Sequence, residues 1–502
     1  MFSNPTAITF IGYLVLMVGI GFFAYYYTRS YSDYILGGRS LGGVVTALSV
    51  GASDMSGWLL MGVPGAVYLT GISESWIAIG LTIGAWANWC IVASRLRVYT
   101  EKSHNALTLP DYFSHRFEDK SNLLRIISAF IILLFFTIYC ASGVVAGARL
   151  FENTFHMSYQ SALLVGAFCT ILYVFLGGFL AVSWTDAIQA GLMCIALVVT
   201  PIAVMIDLGG FQSATAAVEA IDPRMTDIMR GQTFVGIVSL LGWGLGYCGQ
   251  PHILVRFMAA RSIKVIPNAR RIGILWMIFC LAGAIGVGFF GAAYFAQHPE
   301  SAGLVQENHE RVFIVLSSVL FNPWIAGFLM SAILAAVMST LSCQLLVCSS
   351  TLTQDFYRTF IRRNASQREL VWFGRFMVLA VSVVALWLAS DPNSLVFSLV
   401  SYAWAGFGAA FGPVIVLSLW WPRMTRNGAL AGMIVGAATV LIWNHFAWFG
   451  LYEIIPGFAF ALIAIVVVSL LDKKPTRDML RTFGEVDRIV RSDGDVKSAA
   501  AN

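Results

Sequence analysis

The chain has 502 residues, 58% hydrophobic and only 11% charged, with a formal net charge of +5. Soluble domains carry about 25% charged residues, so a soluble globular fold is excluded. Long uncharged runs along the whole length read as an all-α polytopic membrane protein rather than a β-barrel, whose strands alternate and whose lumen is polar.

A span needs about 20 apolar residues. On that rule thirteen follow one another, at about 7–27, 41–70, 75–94, 123–148, 160–180, 186–207, 232–251, 272–297, 319–350, 370–390, 395–420, 428–447 and 451–471. Residues 1–28 carry no charge. The basic start of a cleavable leader is therefore missing, and the first span is expected to stay as an anchor. With thirteen spans, twenty-six Lys and Arg fall on one side. Only Arg149, Arg224, Arg230 and Arg311 fall on the other. The excess marks the cytoplasmic side, so the N-terminus is expected outside and the C-terminus inside. The basic residues lie in short connections and give no nucleic-acid signal; the partner they imply is the lipid bilayer. The polar loop 95–122 is expected on the cytoplasmic face, with a short amphipathic helix around Pro110. Residues 1–471 read as one transporter domain, and 472–502 as a mobile polar tail.

Within span two lies Gly51-Ala-Ser-Asp-Met-Ser-Gly-Trp58. Asp54 is the only charge between Arg39 and Glu74, and a carboxylate at membrane depth costs roughly 2.5–3.5 kcal/mol. The small residues around it weaken the helix, and a break there frees carbonyls and amides that need partners. Asp54 is either a structural carboxylate bonded to a neighbouring helix or part of an ion and substrate site. Intramembrane acids are functional by default, which favours the second reading. Span seven is also glycine-rich (Gly242, Gly244, Gly246, Gly249) and ends at Pro251. Two interrupted spans five apart suggest an inverted repeat, about 41–207 and 232–420; glycines serving close packing are the alternative.

Three further groups carry polar chemistry. In span nine Ala336, Ser339 and Thr340 share a helical face. Their oxygens either suit a hard cation such as Na⁺ or bond back to their own helix. In span seven Trp243 and Tyr247 share a face, and aromatic faces bind compact rings and cations; ordinary packing aromatics are the bland reading. Asp186, in what reads as a very short turn, is expected to cap span six, with gating as the alternative. The eight cysteines all fall in apolar runs without a CxxC pair, which reads as buried thiols. Enzyme motifs such as HExxH, GxxxxGK[ST] and GxSxG are absent from the sequence.

Four stretches then stand out together: Asp33-Tyr-Ile-Leu-Gly-Gly-Arg-Ser40, Gly51 to Trp58, Gly242-Trp-Gly-Leu-Gly-Tyr247 with Gly249-Gln-Pro251, and Ala335-Ala-Val-Met-Ser-Thr340. In this order they resemble the solute:sodium symporter family, in its proline-transporting branch, over nearly all of residues 29–471. The resemblance implies a LeuT-type inverted repeat, with spans two to six and seven to eleven as its halves. It implies a secondary active transporter of the bacterial inner membrane, not an enzyme, that takes up L-proline with Na⁺ as coupling ion and no cofactor. It also implies roles. Na⁺ would be held by Ala52, Met55, Ala336, Ser339 and Thr340, with Asp54 needed for high affinity. Proline would be held by Ser56, Trp58, Tyr139, Trp243, Tyr247 and Pro251. Arg39 and Asp186 would act in coupling and gating.

Overall fold

In the computed structural model, which describes residues 5–27, 30–229 and 231–492, the helix Gly43–Asp54 stops at Met55 (φ −82°, ψ 88°). The chain resumes as a wide i→i+5 turn over Trp58–Gly62 and continues as helix Val63–Thr70. Wide turns of this kind gather at functional sites. The expected interruption of span two is therefore present, at Met55 and Ser56.

The second broken span is longer than the sequence suggested. Helix Phe234–Gly242 tightens into a 3₁₀ stretch, Trp243–Gly249. Gln250 is extended (φ −83°, ψ 109°), and a further helix, Pro251–Ala259, follows. Pro251 starts this helix rather than ending the span: in the first turn its missing N–H has no partner to lose. Arg256, read from sequence as a loop charge, is consequently inside a helix and 1% exposed.

The two broken spans run in opposite directions. The Leu41 amide donates to the Ala259 carbonyl (3.2 Å) and the Arg261 amide to the Leu41 carbonyl (2.9 Å). The start of the first broken span is thus bonded to the end of the second. Glycines let the second approach its neighbours: a Cβ on Gly244 would overlap the Gly80 carbonyl, and one on Gly249 the Phe407 carbonyl.

Every described element is a helix or a connection; the one strand-like pairing among the described residues is Leu41 with Ala260. Ten helices among them are long and apolar enough to cross a membrane, against thirteen expected. The difference lies in interrupted or short segments. Trp58–Lys102 runs through parts of two expected spans, and Tyr159–Leu172 and Phe234–Gly249 are shorter apolar helices. The long helix Tyr159–Asp207 is broken at Gly178 (φ 61°, ψ −167°), so its second half begins there and not at residue 186. Pro323–Ile361 is the most enclosed span, with 89% of its most apolar window buried, whereas Pro5–Phe23 has 28% and faces outward. Around the first broken span stand Tyr159–Asp207, Ile266–Gln297 and Pro323–Ser350; around the second stand Ser75–Asn88 and Val396–Trp420.

Two expectations at the basic end are corrected. The short helix expected around Pro110 is present as Leu109–Arg116, but 95–122 is otherwise not an open polar loop. It holds helices Ser94–Lys102 and Leu109–Arg116, most of whose residues are buried. Arg125 bonds Asp111 (2.7 Å) and Asp355 (3.2 Å) there, an ion network that composition alone reads as a solvated loop. The tail is not free either: Arg477–Arg491 is an amphipathic helix that buries Met479, Val486 and Ile489. Arg29, Arg230 and residues 493–502, counted above toward the charge balance or the tail, lie outside the described residues.

Candidate transport site

Both breaks fall at the same place. Asp54, 2% exposed, ends the first half-helix. Its Oδ2 accepts a 2.5 Å hydrogen bond from the Tyr247 hydroxyl on the second broken span. Its Oδ1 is buried with no partner. The Asp54 carbonyl, freed by the break, accepts from Trp58 Nε1 (3.2 Å) and the Tyr139 hydroxyl (3.4 Å).

Two residues earlier, the Ala52 carbonyl accepts from Ser339 Oγ (2.8 Å) and Thr340 Oγ1 (3.2 Å). Ser339 Oγ also reaches the Ala336 carbonyl (3.0 Å). The hydroxyls of the most enclosed helix thus point at the broken one. Bonding back to the Ala336 carbonyl is real for Ser339, but it is shared with the contact across to Ala52. A carboxylate, a helix C-terminus and a set of neutral oxygens together make this end of the break negative. Oxygen ligands of this type suit a hard cation. Met55, expected in the same set, supplies the non-helical turn itself.

The aromatic residues build the other wall. Trp58 and Trp243 lie 6.2 Å apart. Trp243 is stacked by Phe397 (5.3 Å) and Tyr452 (5.4 Å). Tyr247 meets Trp404 edge-on at 5.1 Å, and Trp404 Nε1 donates to the Trp243 carbonyl (2.8 Å). A cavity of about 20 Å³, room for a single water, is lined by Asp54, Asn88, Trp89, Tyr247 and Met277 among others. After the break, the first turn of the following helix presents the positive end of a helix dipole.

Five of the six residues expected around the ring, Ser56, Trp58, Tyr139, Trp243 and Tyr247, surround this break. Pro251 does not share their wall: it lines a separate cavity with Phe179, Arg256 and Cys343.

That second cavity adjoins a charge pair. Asp186 is fully buried in mid-helix, so the expected capping role falls away. Its Oδ2 accepts from Ser49 Oγ (2.6 Å) and pairs with Arg256 (3.3 Å). Arg256 also donates to Ser49 (3.1 Å), to the His252 carbonyl (2.8 Å) and to Cys343. Removing one partner of such a pair costs about 3–5 kcal/mol, because the other charge stays buried. Arg39, to which the resemblance gives the same coupling and gating role, stands at the basic end with a left-handed backbone (φ 54°). Its guanidinium donates to Asn105 Oδ1 (2.8 Å), Thr100 Oγ1 (3.1 Å), the Met258 carbonyl (2.6 Å) and the Ala106 carbonyl (2.9 Å).

Sequence reasoning missed Ser49, Arg256, Trp404 and Asn88. Asn88, whose Nδ2 donates to the Tyr247 carbonyl (3.0 Å), left a signal: it is the one amide side chain in an otherwise apolar span.

The model of the sodium:solute symporter family matches residues 34–436. The chain belongs to that family. Among its curated relatives, a sodium/proline symporter of Escherichia coli (strain K12) is 65% identical over 97% of both chains. A high-affinity proline transporter of Bacillus subtilis (strain 168) is 53% identical over 93% of this chain and 98% of its own. Among solved structures, a Na⁺-coupled sialic acid symporter in a substrate-bound outward-open state superposes with a TM-score of 0.81 at 18% identity, over 95% of this chain and all of that one. A nucleobase-cation-symport-1 family transporter in a closed conformation gives 0.56 at 14% identity, over 91% and 99%. Like those two folds, this sodium:solute symporter is an all-helical, multi-pass membrane protein of the LeuT type.

Proposed function

We propose that this protein takes up L-proline with Na⁺ across the bacterial inner membrane, with its N-terminus outside and its C-terminus in the cytoplasm. One observation carries the reading: Ser339 and Thr340 converge on the Ala52 carbonyl two residues before a helix breaks at a buried carboxylate. Na⁺ is held there by the Ala52, Met55 and Ala336 carbonyls and the Ser339 and Thr340 hydroxyls. Asp54 supplies the compensating charge.

Proline lies across the break. Its carboxylate meets the amide end of the turn at Ser56 and Trp58. Its ring packs against Trp243 and Tyr247, with Tyr139 closing the side, and its ammonium gains attraction from the aromatic faces. Pro251 acts at one remove, by starting the second half-helix on which Arg256 sits. Na⁺ ties the first broken span to Pro323–Ser350 and so orders the turn that binds proline. By linkage, proline raises Na⁺ affinity by the same factor.

Uptake then follows by alternating access around this fixed point. On the basic side the Asp186–Arg256–Ser49 cluster and the Arg39 fork are the contacts that release. A membrane potential supplies about 2.3 kcal/mol per charge per 100 mV, about fiftyfold accumulation before the Na⁺ gradient is counted. Labelled-proline uptake into proteoliposomes tests the reading. An inward Na⁺ gradient is expected to concentrate proline where K⁺ or H⁺ gradients do not; accumulation driven equally by K⁺ would refute it.

A further inference from the structure

The tail helix Arg477–Arg491 begins six residues after Leu471, where the last membrane helix ends. Six residues reach at most about 20 Å, and Arg423 holds the connection by donating to the Asp472 carbonyl (2.9 Å). One face of the helix is fully committed to the protein. Met479, Val486 and Ile489 are buried, and Phe483 meets Tyr99 edge-on at 6.5 Å. Two of its acids also turn inward: Glu485 pairs with Lys102 (3.3 Å) and Asp487 with Arg95.

The opposite face is different. Arg477, Arg481 and Arg488 stand at i, i+4 and i+11, with Arg491 beside them, and all four are exposed. Helical spacing puts them in one stripe. Lys473 and Lys474, also exposed, precede it. Two acids touch the stripe, Asp478 on Arg481 (3.3 Å) and Asp487 on Arg491 (2.9 Å), but both arginines stay more than 70% exposed, and such surface pairs neutralise little. The far end of the helix lies beside the membrane interface. Arg95, which holds Asp487, stacks on Trp420 at 3.8 Å, and Trp420 is a half-exposed ring at the end of membrane helix Val396–Trp420.

We propose that this arginine stripe, with Lys473 and Lys474, binds the anionic phosphate headgroups of the leaflet at the basic end. Most of the apolar face is already filled by protein, so what remains is a mainly basic surface, with Leu480 45% exposed beside it, next to a bilayer. Basic clusters placed in this way recognise acidic lipids, each residue contributing about fivefold in affinity. The occupant acts on the transport machinery through one element. Helix Ser94–Lys102, which holds Glu485 and Asp487, also carries Thr100, an acceptor of Arg39.

Gly484 lies within the stripe, and a Cβ there would meet nothing within 4 Å. A fluorophore on Gly484→Cys in the full-length reconstituted protein therefore reads the surface without disturbing it. Headgroup-spin-labelled phosphatidylglycerol is expected to quench it strongly, and the matching phosphatidylcholine weakly, with the difference shrinking as salt is raised. Replacing the four arginines by glutamine should shrink that difference sharply, lowering apparent affinity by about 600-fold. The milder Lys473→Gln/Lys474→Gln pair should reduce apparent affinity by about 25-fold. Equal quenching by the two lipids, an unchanged response in the four-arginine variant, or a stronger response to an acidic polypeptide in neutral vesicles would each overturn the proposal.

Discussion

Ser339→Ala is the sharpest test of the cation site. In the structure the Ser339 hydroxyl bonds the Ala52 and Ala336 carbonyls, and the Ala52 carbonyl also accepts from Thr340. Deleting the Ser339 hydroxyl therefore orphans nothing at Ala52. The folding cost is that of one neutral hydrogen bond, about 0.5–1.5 kcal/mol. If the same hydroxyl is a Na⁺ ligand, the loss is that of a charge-assisted contact, about 1.5–3 kcal/mol. The Na⁺ needed for half-maximal proline uptake should then rise roughly 10- to 150-fold. Proline KM should return to its wild-type value once Na⁺ is saturating, because linkage acts only while the ion site is partly empty. Thr340→Val should do the same. The double variant should fall short of the product of the two, since both hydroxyls share one carbonyl. The assay is Na⁺ activation of labelled-proline uptake in proteoliposomes, with thermal melting in detergent as the stability control. A half-activating Na⁺ concentration within twofold of wild type in both single variants would refute the site.

Other consequences are as specific. Asp54→Asn keeps the side chain's shape and its capacity to accept from Tyr247 but removes the charge. At an effective dielectric of 20, unit charges ~7 Å apart attract by ~2 kcal/mol, so Na⁺ activation should weaken about thirtyfold, and unchanged activation in vesicles would take Asp54 out of the mechanism. Trp243→Ala should raise proline KM far more than the Na⁺ requirement; equal shifts would argue against separate walls. At the basic end, burial opposes ionisation of Asp111, but the hydrogen bond from His115, the Arg125 charge and the Leu107 amide outweigh it and hold its carboxyl below the usual value of 3.8. A depressed carboxyl stabilises the fold above its unfolded value and loses that contribution as pH falls through the folded one. Melting temperature should therefore drop below about pH 4, and less steeply in Asp111→Asn.

The break itself was legible because a lone acid among small residues in an apolar run has few explanations. The pairing of Ala336, Ser339 and Thr340 with it was legible as a helical face. Other features were hidden for physical reasons. Proline punctuates a chain in two ways, and Pro251 reads as a stop although it opens a helix, which sent Arg256 into a supposed loop. A hydropathy count sees the charges of Asp186 and Arg256 separately and cannot see that they neutralise each other inside the protein. The same blindness made residues 95–122 look like surface, where Arg125, Asp111 and Asp355 are buried together. The tail's composition is polar, yet Met479, Val486 and Ile489 fall on one face of a helix, and periodicity rather than composition carried that signal.

The layout of contacts constrains how such a molecule can move. On the basic side the first broken span starts, and the second ends, at one bonded junction, Leu41 with Ala259 and Arg261. Arg39 reinforces it by reaching the Met258 carbonyl and the 100–106 segment at once. Rocking the two broken spans apart at that end would break several backbone and guanidinium bonds together. Moving them as one body leaves the Leu41 junction and the Arg39–Met258 bond intact and breaks instead the contacts they make with surrounding segments, Arg39 with Thr100 and Ala106 among them. Asp186–Arg256 is such a contact, since Asp186 stands on Tyr159–Asp207 and Arg256 on the second broken span. Ser339 and Thr340 to Ala52 are another, between Pro323–Ser350 and the first broken span. With the proposed cation on the Ala52 oxygen, that ion and the charge pair at Asp186 would hold the same body against the same scaffold. That shared duty would give ion release a direct mechanical route to opening, without a separate relay between the two sites.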